Sequence, residues 1–357
     1  MAEGQSAATP VPGAVVVWSG PTPTIQAFRI PAEGLIIGRE LLTTTSDDRI
    51  SRQHARVAWS DRRFIVTDLG SRNGTYTGGN PLVDREVTVT APSVVRTGRT
   101  VSVLLDDIRR FEAAQIASAH DAIVGPSTAP LWRAVEQAAQ DDSNLLILGE
   151  PGSGKGRMAR GYARARGRHE AVYNPTIQAV PLERVVSPAT QPLILEQVGK
   201  LGAQNVATLG KLLERPELRF VTTAVTQLEH LGLPAEIAAA LSTRSLMLPP
   251  LRDRPDEMAF LVNDAVHGAE PGLQIHSTLI EVCLLRPWPG NVRELIAEVG
   301  RTAHTVASQG KNNIRGEDLD NDAGHLMVGA PTINAAVQST TSQRPRRKRN
   351  SSRPSNE

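Results

Sequence analysis

Apolar residues in the first part of the chain occur in short runs separated by polar turns. These runs cover residues 14–18, 34–38, 54–59, 64–67 and 101–105, and a Gly-Gly-Asn turn stands at residues 78–80. Short strands at this spacing are typical of a β-sandwich. We therefore predict an all-β domain over residues 14–106.

After residue 121 the apolar positions indicate an alternation of helices and strands. Leu131, Val135 and Ala138 recur at helical intervals, and the apolar run at residues 145–148 ends in a glycine-rich turn. Further short apolar runs, separated by helical patterns, lie at residues 193–195, 220–221 and 246–248. This pattern predicts an α/β domain with a parallel sheet over residues 121–250, followed by a helical region over residues 251–322.

The remaining segments have compositions that do not support a packed core. Residues 1–13 predict a disordered lead, residues 107–120 a linker, and residues 323–357 a disordered tail rich in Ser, Thr, Pro, Asn and Arg. From Gly329 onward the tail carries six basic residues against Glu357, a net charge of +5, whereas the whole chain carries +2. We interpret the tail as a solvated segment, with a local contact to DNA or another nucleic acid as the alternative.

Composition excludes several classes of protein. Cys283 is the single cysteine, so neither an internal disulfide framework nor a Cys-x-x-Cys metal site is expected. No run approaches about 18 consecutive apolar residues, and the N-terminus lacks the charged start and apolar core of a secretory signal. We therefore expect a soluble, cytoplasmic protein without membrane contact.

Three short motifs in the predicted sandwich contain side chains that suit a phosphate dianion. They are Gly38-Arg39, Ser51-Arg52-Gln53-His54 and Ser71-Arg72-Asn73-Gly74-Thr75, all at predicted strand ends or in loops. Arg39 and Arg52 supply charge-assisted hydrogen bonds, and Ser51 supplies a hydroxyl. Asn73 suits an extended peptide backbone, because its amide both donates and accepts hydrogen bonds.

This ordered set resembles the forkhead-associated (FHA) family over roughly residues 14–106. The resemblance implies a domain that binds a phosphothreonine made by a Ser/Thr kinase on a partner protein. It also implies that His54 holds the loop of Ser51. The candidate phosphopeptide-binding residues are Arg39, Ser51, Arg52, Ser71, Arg72 and Asn73. The alternative is a sandwich whose arginines only face water.

The glycine-rich turn after residues 145–148 has the sequence context of a P-loop, because it follows a predicted strand and opens a predicted helix. Backbone N–H groups and a helix N-terminus suit phosphates, and Lys155 adds a positive charge. Gly156 stands where the general motif has a Mg²⁺-binding Ser or Thr. The candidate nucleotide-binding residues are Gly149, Glu150, Pro151, Gly152, Ser153, Gly154, Lys155 and Gly156.

Four motifs in order resemble the AAA+ domain of bacterial enhancer-binding proteins, the activators of sigma-54 RNA polymerase. They are Ile123–Ser127, Leu146–Lys155, Leu248–Arg254 and Trp288–Leu295, and the resemblance spans about residues 121–320. It implies a domain that binds ATP or ADP with Mg²⁺, has a helical lid over residues 251–322, and forms homo- or hetero-oligomers. By the same resemblance, Arg293 is the lid arginine that touches the nucleotide phosphates.

Several positions depart from the pattern of that family. Its acidic strand ends in Asp-Glu, whereas the matching strand here ends in Glu196-Gln197. Glu196 is a candidate Mg²⁺ ligand, but Gln197 cannot take a proton from water, and losing a general base costs about 10²–10⁴-fold in rate. Val225 aligns with the family's sensor Asn, and Ala240 with its intersubunit arginine, while Arg244 nearby is out of register.

We also expect the chain to lack two segments of the family: the sigma-contacting loop, which would lie between residues 174 and 192, and a C-terminal helix-turn-helix. We therefore predict a phosphothreonine-dependent signalling and transcription-regulatory protein whose AAA+ domain binds nucleotide but hydrolyses it poorly. One alternative is an active ATPase and sigma-54-dependent transcriptional activator that tolerates the substitutions. Another is a vestigial nucleotide pocket beside a working FHA domain.

Overall fold

The computed structural model describes residues 9–42, 47–113, 115–119, 122–178, 180–186 and 192–325. Residues 1–8 of the predicted lead and the basic tail from residue 326 onward lie outside the described residues. None of the helices within the described ranges has the length and hydrophobicity of a membrane span.

The N-terminal domain is a sandwich of two antiparallel sheets, as the sequence predicts. One sheet has the strand order β2-β1-β10-β9-β6-β7, and the other has the order β3-β4-β5-β8. Ala14, Val16 and Leu104 from the first sheet form one buried cluster with Ile37 and Phe64 from the second. The strands are β1 (Gly13–Ser19), β2 (Thr22–Arg29), β3 (Leu35–Ile37), β4 (Ala55–Ser60), β5 (Arg63–Asp68), β6 (Thr75–Thr77), β7 (Asn80–Pro81), β8 (Glu86–Val89), β9 (Ser93–Thr97) and β10 (Thr100–Leu105).

Some boundaries differ from the sequence prediction. β1 begins at Gly13 and Val11 packs on the core, so ordered structure starts within the predicted lead. The predicted linker contains β11 (Ala117–Ala119), which forms an antiparallel hairpin with β12 (Ala122–Val124). Its sequence, Ala-Ser-Ala, is only three small residues long, which is too short and too weakly apolar to indicate a strand.

The second domain contains a parallel five-stranded sheet in the order β14-β15-β16-β13-β17. Leu145 and Ile147 of β13 pack on one side with α1 and α2, whereas Leu146 and Leu148 pack on the other with α3 and α4. Burial on both faces explains the unbroken apolar run that marks this strand in the sequence. The elements are α1 (Ala129–Gln140), β13 (Leu145–Leu148), α2 (Lys155–Ala165), β14 (Ala171–Tyr173), β15 (Leu193–Glu196), α3 (Ala203–Leu213), β16 (Phe220–Ala224), α4 (Ala235–Leu241) and β17 (Arg244–Met247).

A helical lid follows, formed by α5 (Pro255–Ala269), α6 (Ser277–Leu285) and α7 (Asn291–Ser308). The lid also contains two short parallel strands, β18 (Gln274–Ile275) and β19 (Asn313–Ile314), which are too short to give a sequence signal. Ala323 is buried in the lid core, and Arg286 donates a 2.7 Å hydrogen bond to its carbonyl. The lid therefore includes the first residues of the predicted tail.

The sandwich and the lid share one apolar core, which the sequence analysis did not predict. Val15 and Val17 of β1 and Val103 of β10 lie in the same buried cluster as Leu279 of α6 and Val262 of α5. Alternate residues of β1 therefore face the sandwich interior and the lid. The complete burial of β1 matches the continuous apolar run at residues 14–18.

We expect Leu279→Ala to lower the free energy of unfolding by about 2–5 kcal/mol, because it leaves a cavity where the two domains meet. Hydrogen–deuterium exchange should become faster in β1 and β10 as well as in α6. The control is Leu209→Ala, which opens a cavity in the core beside α3 and should leave β1 protected. Faster exchange in α6 with no change in β1 would contradict the shared core.

Candidate functional site

The three phosphate-binding motifs lie together at one end of the sandwich. Arg39 follows β3, and its backbone N–H donates to the carbonyl of Ser51 at 3.0 Å. Its Nη2 donates to the carbonyl of Ile50 at 2.8 Å. The backbone N–H of Arg72 donates to Oγ of Ser51 at 3.3 Å. These contacts bring both later loops against Arg39, and the side chains of Arg39, Arg52 and Arg72 are exposed to solvent.

His54 is fully buried and joins two of these loops. Its Nδ1 accepts a hydrogen bond from the backbone N–H of Ser51 at 3.1 Å. Since Nδ1 is an acceptor, Nε2 carries the proton and donates to the carbonyl of Gly74 at 3.0 Å. Burial lowers the pKa of His54, which keeps the ring neutral. These contacts match the supporting role that the FHA resemblance implies.

Asp68 organises the third loop and was missed by the sequence analysis. Oδ1 accepts from the backbone N–H groups of Gly70 and Ser71 at 2.8 and 2.9 Å, and Oδ2 accepts from the hydroxyls of Ser71 and Thr75, each at 2.6 Å. Burial raises the pKa of Asp68, but these hydrogen bonds outweigh it and the net shift is downward. The hydroxyl of Ser71 is thus bonded to Asp68. The sequence feature that could have indicated this role is an Asp at the end of a strand, two residues before Gly-Ser.

The side chain of Asn73 also supports the site internally, because its Nδ2 donates to the carbonyl of Arg49 at 2.6 Å. Arg49 was not predicted and lies on the exposed surface next to Ile50. The structure therefore brings all six predicted phosphopeptide residues to one end of the sandwich. Residues 43–46, in the loop between β3 and β4, lie outside the described residues.

The glycine-rich turn at residues 149–154 connects β13 to α2, as the P-loop pattern predicts. Gly152 has a φ of +73°, and a Cβ there would lie 1.9 Å from the carbonyl oxygen of Gly290 in the lid. Glycine is therefore required by both backbone conformation and space. Ser153 is buried, and its Oγ has no hydrogen-bond partner among the described residues.

Lys155 and Arg293 bring positive charge to this turn. Nζ of Lys155 donates to the carbonyls of Gly149 and Glu150 at 2.7 and 2.8 Å. Burial and the nearby Arg293 lower the pKa of Lys155 to about 8. The backbone N–H of Arg293 donates to the carbonyl of Gly152 at 3.3 Å, which places the start of α7 against the P-loop.

A cleft of about 870 Å³ opens between the P-loop and the lid. Its lining includes the apolar side chains of Ile123, Trp132 and Ile296 and the basic side chains of Lys155 and Arg293. A lining of both kinds suits a molecule with an apolar part and an anionic part. Trp132 was not predicted to line the cleft, because its helical spacing alone does not indicate a cleft position.

Glu196 and Gly156 meet inside the cleft. A Cβ at residue 156 would lie 2.8 Å from Oε1 of Glu196, so the glycine leaves room for the longer carboxylate. Oε2 of Glu196 accepts a hydrogen bond from Nδ2 of Asn174 at 3.1 Å. In the part of the chain that the structure describes, no group of three or more His, Cys, Asp or Glu residues could hold a metal.

The other departures from the AAA+ pattern occupy different places. Gln197 lines the cleft, and its Nε2 donates to Oγ1 of Thr176 at 3.4 Å. Val225 also lines the cleft. Arg244 pairs in register with Leu145, the first residue of β13. It therefore lies at the amino ends of the strands, whereas the P-loop follows their carboxyl ends. Arg244 forms an ion pair there with Asp141. The family's sigma-contacting loop would lie between residues 174 and 192. Within this segment, residues 179 and 187–191 lie outside the described residues.

Comparisons with known families identify both domains. Residues 35–98 match the model of the FHA domain, and residues 125–251 match the model of the sigma-54 interaction domain. The chain therefore contains an FHA domain followed by an AAA+ domain of the sigma-54 interaction type. This confirms the two resemblances drawn from the motifs.

Similar proteins include transcription regulators. AlgB of Pseudomonas aeruginosa, an alginate biosynthesis transcriptional regulatory protein, is 26% identical over 216 residues, which cover 48% of each chain. The DNA-binding transcriptional regulator NtrC of Rhizobium meliloti is 26% identical over 266 residues, covering 61% of this chain and 54% of NtrC. The chain spans about half the length of these curated relatives. A crystal structure of NtrX from Brucella abortus in complex with ADP has a TM-score of 0.49 and 18% identity, covering 58% of this chain and 56% of NtrX.

We expect the protein to lose stability as the pH falls below about 6.5, the ordinary pKa of histidine. Because the pKa of His54 is lowered in the folded state, the unfolded chain binds the proton first, and stability falls between the two pKa values. Urea denaturation at a series of pH values measures this slope. His54→Gln should reduce it, leaving the contribution of His276, whose pKa burial also lowers.

Leu209→Ala is the control, since it lowers stability through a cavity without removing a titratable group and should keep the wild-type slope. A slope that is the same in the wild type and in His54→Gln would contradict the assignment to His54.

Proposed function

We propose that the FHA domain binds proteins phosphorylated on threonine by a Ser/Thr kinase. The observation that carries this proposal is that hydrogen bonds bring the loops of Arg39, Ser51 and Asn73 together at one end of the sandwich, with the exposed Arg52 next to Ser51 in the chain. A phosphate dianion requires several converging donors, and guanidinium groups form its strongest hydrogen bonds. Buried His54 and half-buried Asp68 hold the loops in place, so little ordering remains to be done when the peptide binds.

The AAA+ domain binds ATP or ADP in the cleft beneath the lid. Support comes from the P-loop that joins β13 to α2, from Lys155 and Arg293 beside it, and from the apolar residues in the lining of the cleft, Trp132 among them. Backbone N–H groups of the P-loop and the helix N-terminus would bind the phosphates. The apolar lining residues would contact the base.

The residues present fit a Mg²⁺ ion bound together with the nucleotide. One carboxylate combined with phosphate oxygens is a common Mg²⁺ site, and Glu196 supplies that carboxylate in the space beside Gly156. The ion would neutralise charge on the phosphates. Asn174 orients Glu196 through its 3.1 Å hydrogen bond.

Hydrolysis by this domain is slow. Gln197 stands where the family has a glutamate, and an amide cannot take a proton from an attacking water. Val225 lacks the polar group of the family's sensor residue. The chain thus acts as a phosphothreonine-dependent cytoplasmic regulator of transcription, whose nucleotide-bound domain assembles with copies of itself or with active AAA+ partners.

The second candidate function is that of an active ATPase and sigma-54-dependent activator. The sigma-54 interaction match over residues 125–251 and the similarity to transcription regulators favour this alternative. It requires that the departures at Gln197 and Val225 be tolerated.

A phosphothreonine peptide library tests the FHA proposal. We expect selected peptides to bind the full chain and to lose at least about tenfold in affinity with Arg39→Ala or Ser51→Ala, because each change removes a charge-assisted hydrogen bond. Arg62→Ala is the control, since Arg62 lies in the turn between β4 and β5, at the end of β4 away from His54. Equal affinity for unphosphorylated peptides would refute the proposal.

Thermal unfolding with ADP tests the nucleotide proposal. At 100 times its dissociation constant, a ligand adds about 2.7 kcal/mol to the stability, which we expect for the wild type and for the control Lys211→Ala but not for Lys155→Ala. Absence of any stabilisation would favour a vestigial pocket.

Phosphate release from ATP separates slow from active hydrolysis. We expect little release from the wild type and a rise of about 10²-fold or more in Gln197→Glu, which restores a general base. Steady release from the wild type that disappears in Lys155→Ala would establish the active ATPase instead.

A further inference from the structure

Strand β9 and the residue just after it contact both loops of the candidate phosphopeptide site. It pairs with β6, which follows the Ser71–Gly74 loop, and Arg96 of β9 lies directly opposite Tyr76. Just beyond β9, Gly98 lies against the other loop, since a Cβ there would be 2.7 Å from the carbonyl carbon of Arg49. A shift of β9 would therefore move both loops of the candidate phosphopeptide site.

The side chain of Arg96 connects this strand to the lid. Its guanidinium carbon lies 3.8 Å from the centroid of the Tyr76 ring. Its Nε donates to Oε2 of Glu281 in α6 at 2.6 Å, and the two side chains are only 11% and 4% exposed. At such burial the attraction is weakly screened by water and salt. The second oxygen of Glu281 has no hydrogen-bond partner among the described residues.

From α6, hydrogen bonds continue to the P-loop. Nε1 of Trp288 donates to the carbonyl of Cys283 in α6 at 2.7 Å, and the backbone N–H of Asn291 donates to the carbonyl of Trp288 at 2.8 Å. Nδ2 of Asn291 then donates to Oε2 of Glu150 at 3.1 Å and to the carbonyl of Pro151 at 3.0 Å. Trp288 and Asn291 are fully buried.

We propose that Arg96 and Glu281 are positioning residues that couple the two sites, so that nucleotide in the cleft changes the affinity for phosphothreonine, and phosphothreonine changes the affinity for nucleotide. The inference rests on the proposed function of both sites. A movement of α6 carries Arg96 with it, because separating the pair would leave a buried charge without its partner. Coupling of binding equilibria is reciprocal by thermodynamic necessity.

Hydrogen–deuterium exchange on the full chain, with ADP as the probe, tests the coupling. We expect ADP to slow exchange at residues 149–160 and also to change exchange at residues 71–78. In the double variant Arg96→Met/Glu281→Leu the effect at the P-loop should remain, while the effect at residues 71–78 is lost. Removing both charges together avoids an uncompensated buried charge, so this variant should fold. Arg301→Met/Glu298→Leu, which removes a more exposed pair on α7, should keep both effects.

Each outcome decides a different point. ADP protection of the P-loop without any change at residues 71–78 in the wild type would overturn the coupling and leave nucleotide binding intact. No protection at the P-loop would overturn nucleotide binding and the coupling with it. A distant effect that survives in Arg96→Met/Glu281→Leu would overturn the assignment to this pair.

A second measurement tests reciprocity directly. A phosphothreonine peptide selected from the library should change its affinity by about fivefold or more when ADP is added. That change should disappear in Arg96→Met/Glu281→Leu, whereas a purely structural pair would lower stability and leave the ratio of affinities unaltered.

Discussion

The burial of β1 on both of its faces is the constraint on which the rest of the structure depends. A strand at the surface of a sandwich ordinarily alternates apolar and polar residues, because one face meets water. Here Ala14 and Val16 pack into the sandwich, and Val15 and Val17 pack against the lid. The position of the lid relative to the FHA domain is therefore set by a packed core and does not depend on the linker alone.

The lid also packs against the P-loop and forms hydrogen bonds with it. The carbonyl of Gly290 occupies the space beside Gly152, and Asn291 bonds to Glu150 and Pro151. The shape of a nucleotide cleft between two subdomains depends on how those subdomains are positioned. Here the lid is one of the two, and it is also packed against the FHA domain. The two candidate sites are thus built on a common support, even though each is formed from its own loops.

The amino-acid pattern was most informative where a residue type is tied to one local geometry. The apolar run at residues 145–148 followed by glycines predicted both β13 and the P-loop, because a buried parallel strand and a phosphate-binding turn each need those residues. The loops around Arg39, Ser51 and Asn73 were predicted in the same way. Asp68 and Trp132 were missed, since their roles depend on which neighbours the fold brings near them. The contact between Arg96 and Glu281 joins residues 185 positions apart, and no local pattern encodes such a pairing.

The two-sided strand also limits how far these domains can be treated as interchangeable modules. A fragment cut after the sandwich would present Val15, Val17, Val101 and Val103 as a contiguous apolar surface, and such surfaces promote self-association. The same surface would meet a mismatched partner if the sandwich were joined to the lid of another protein. Recombination must therefore transfer the sandwich strands and the lid helices that form the shared core together. The FHA domain and the lid are thus expected to diverge as one unit.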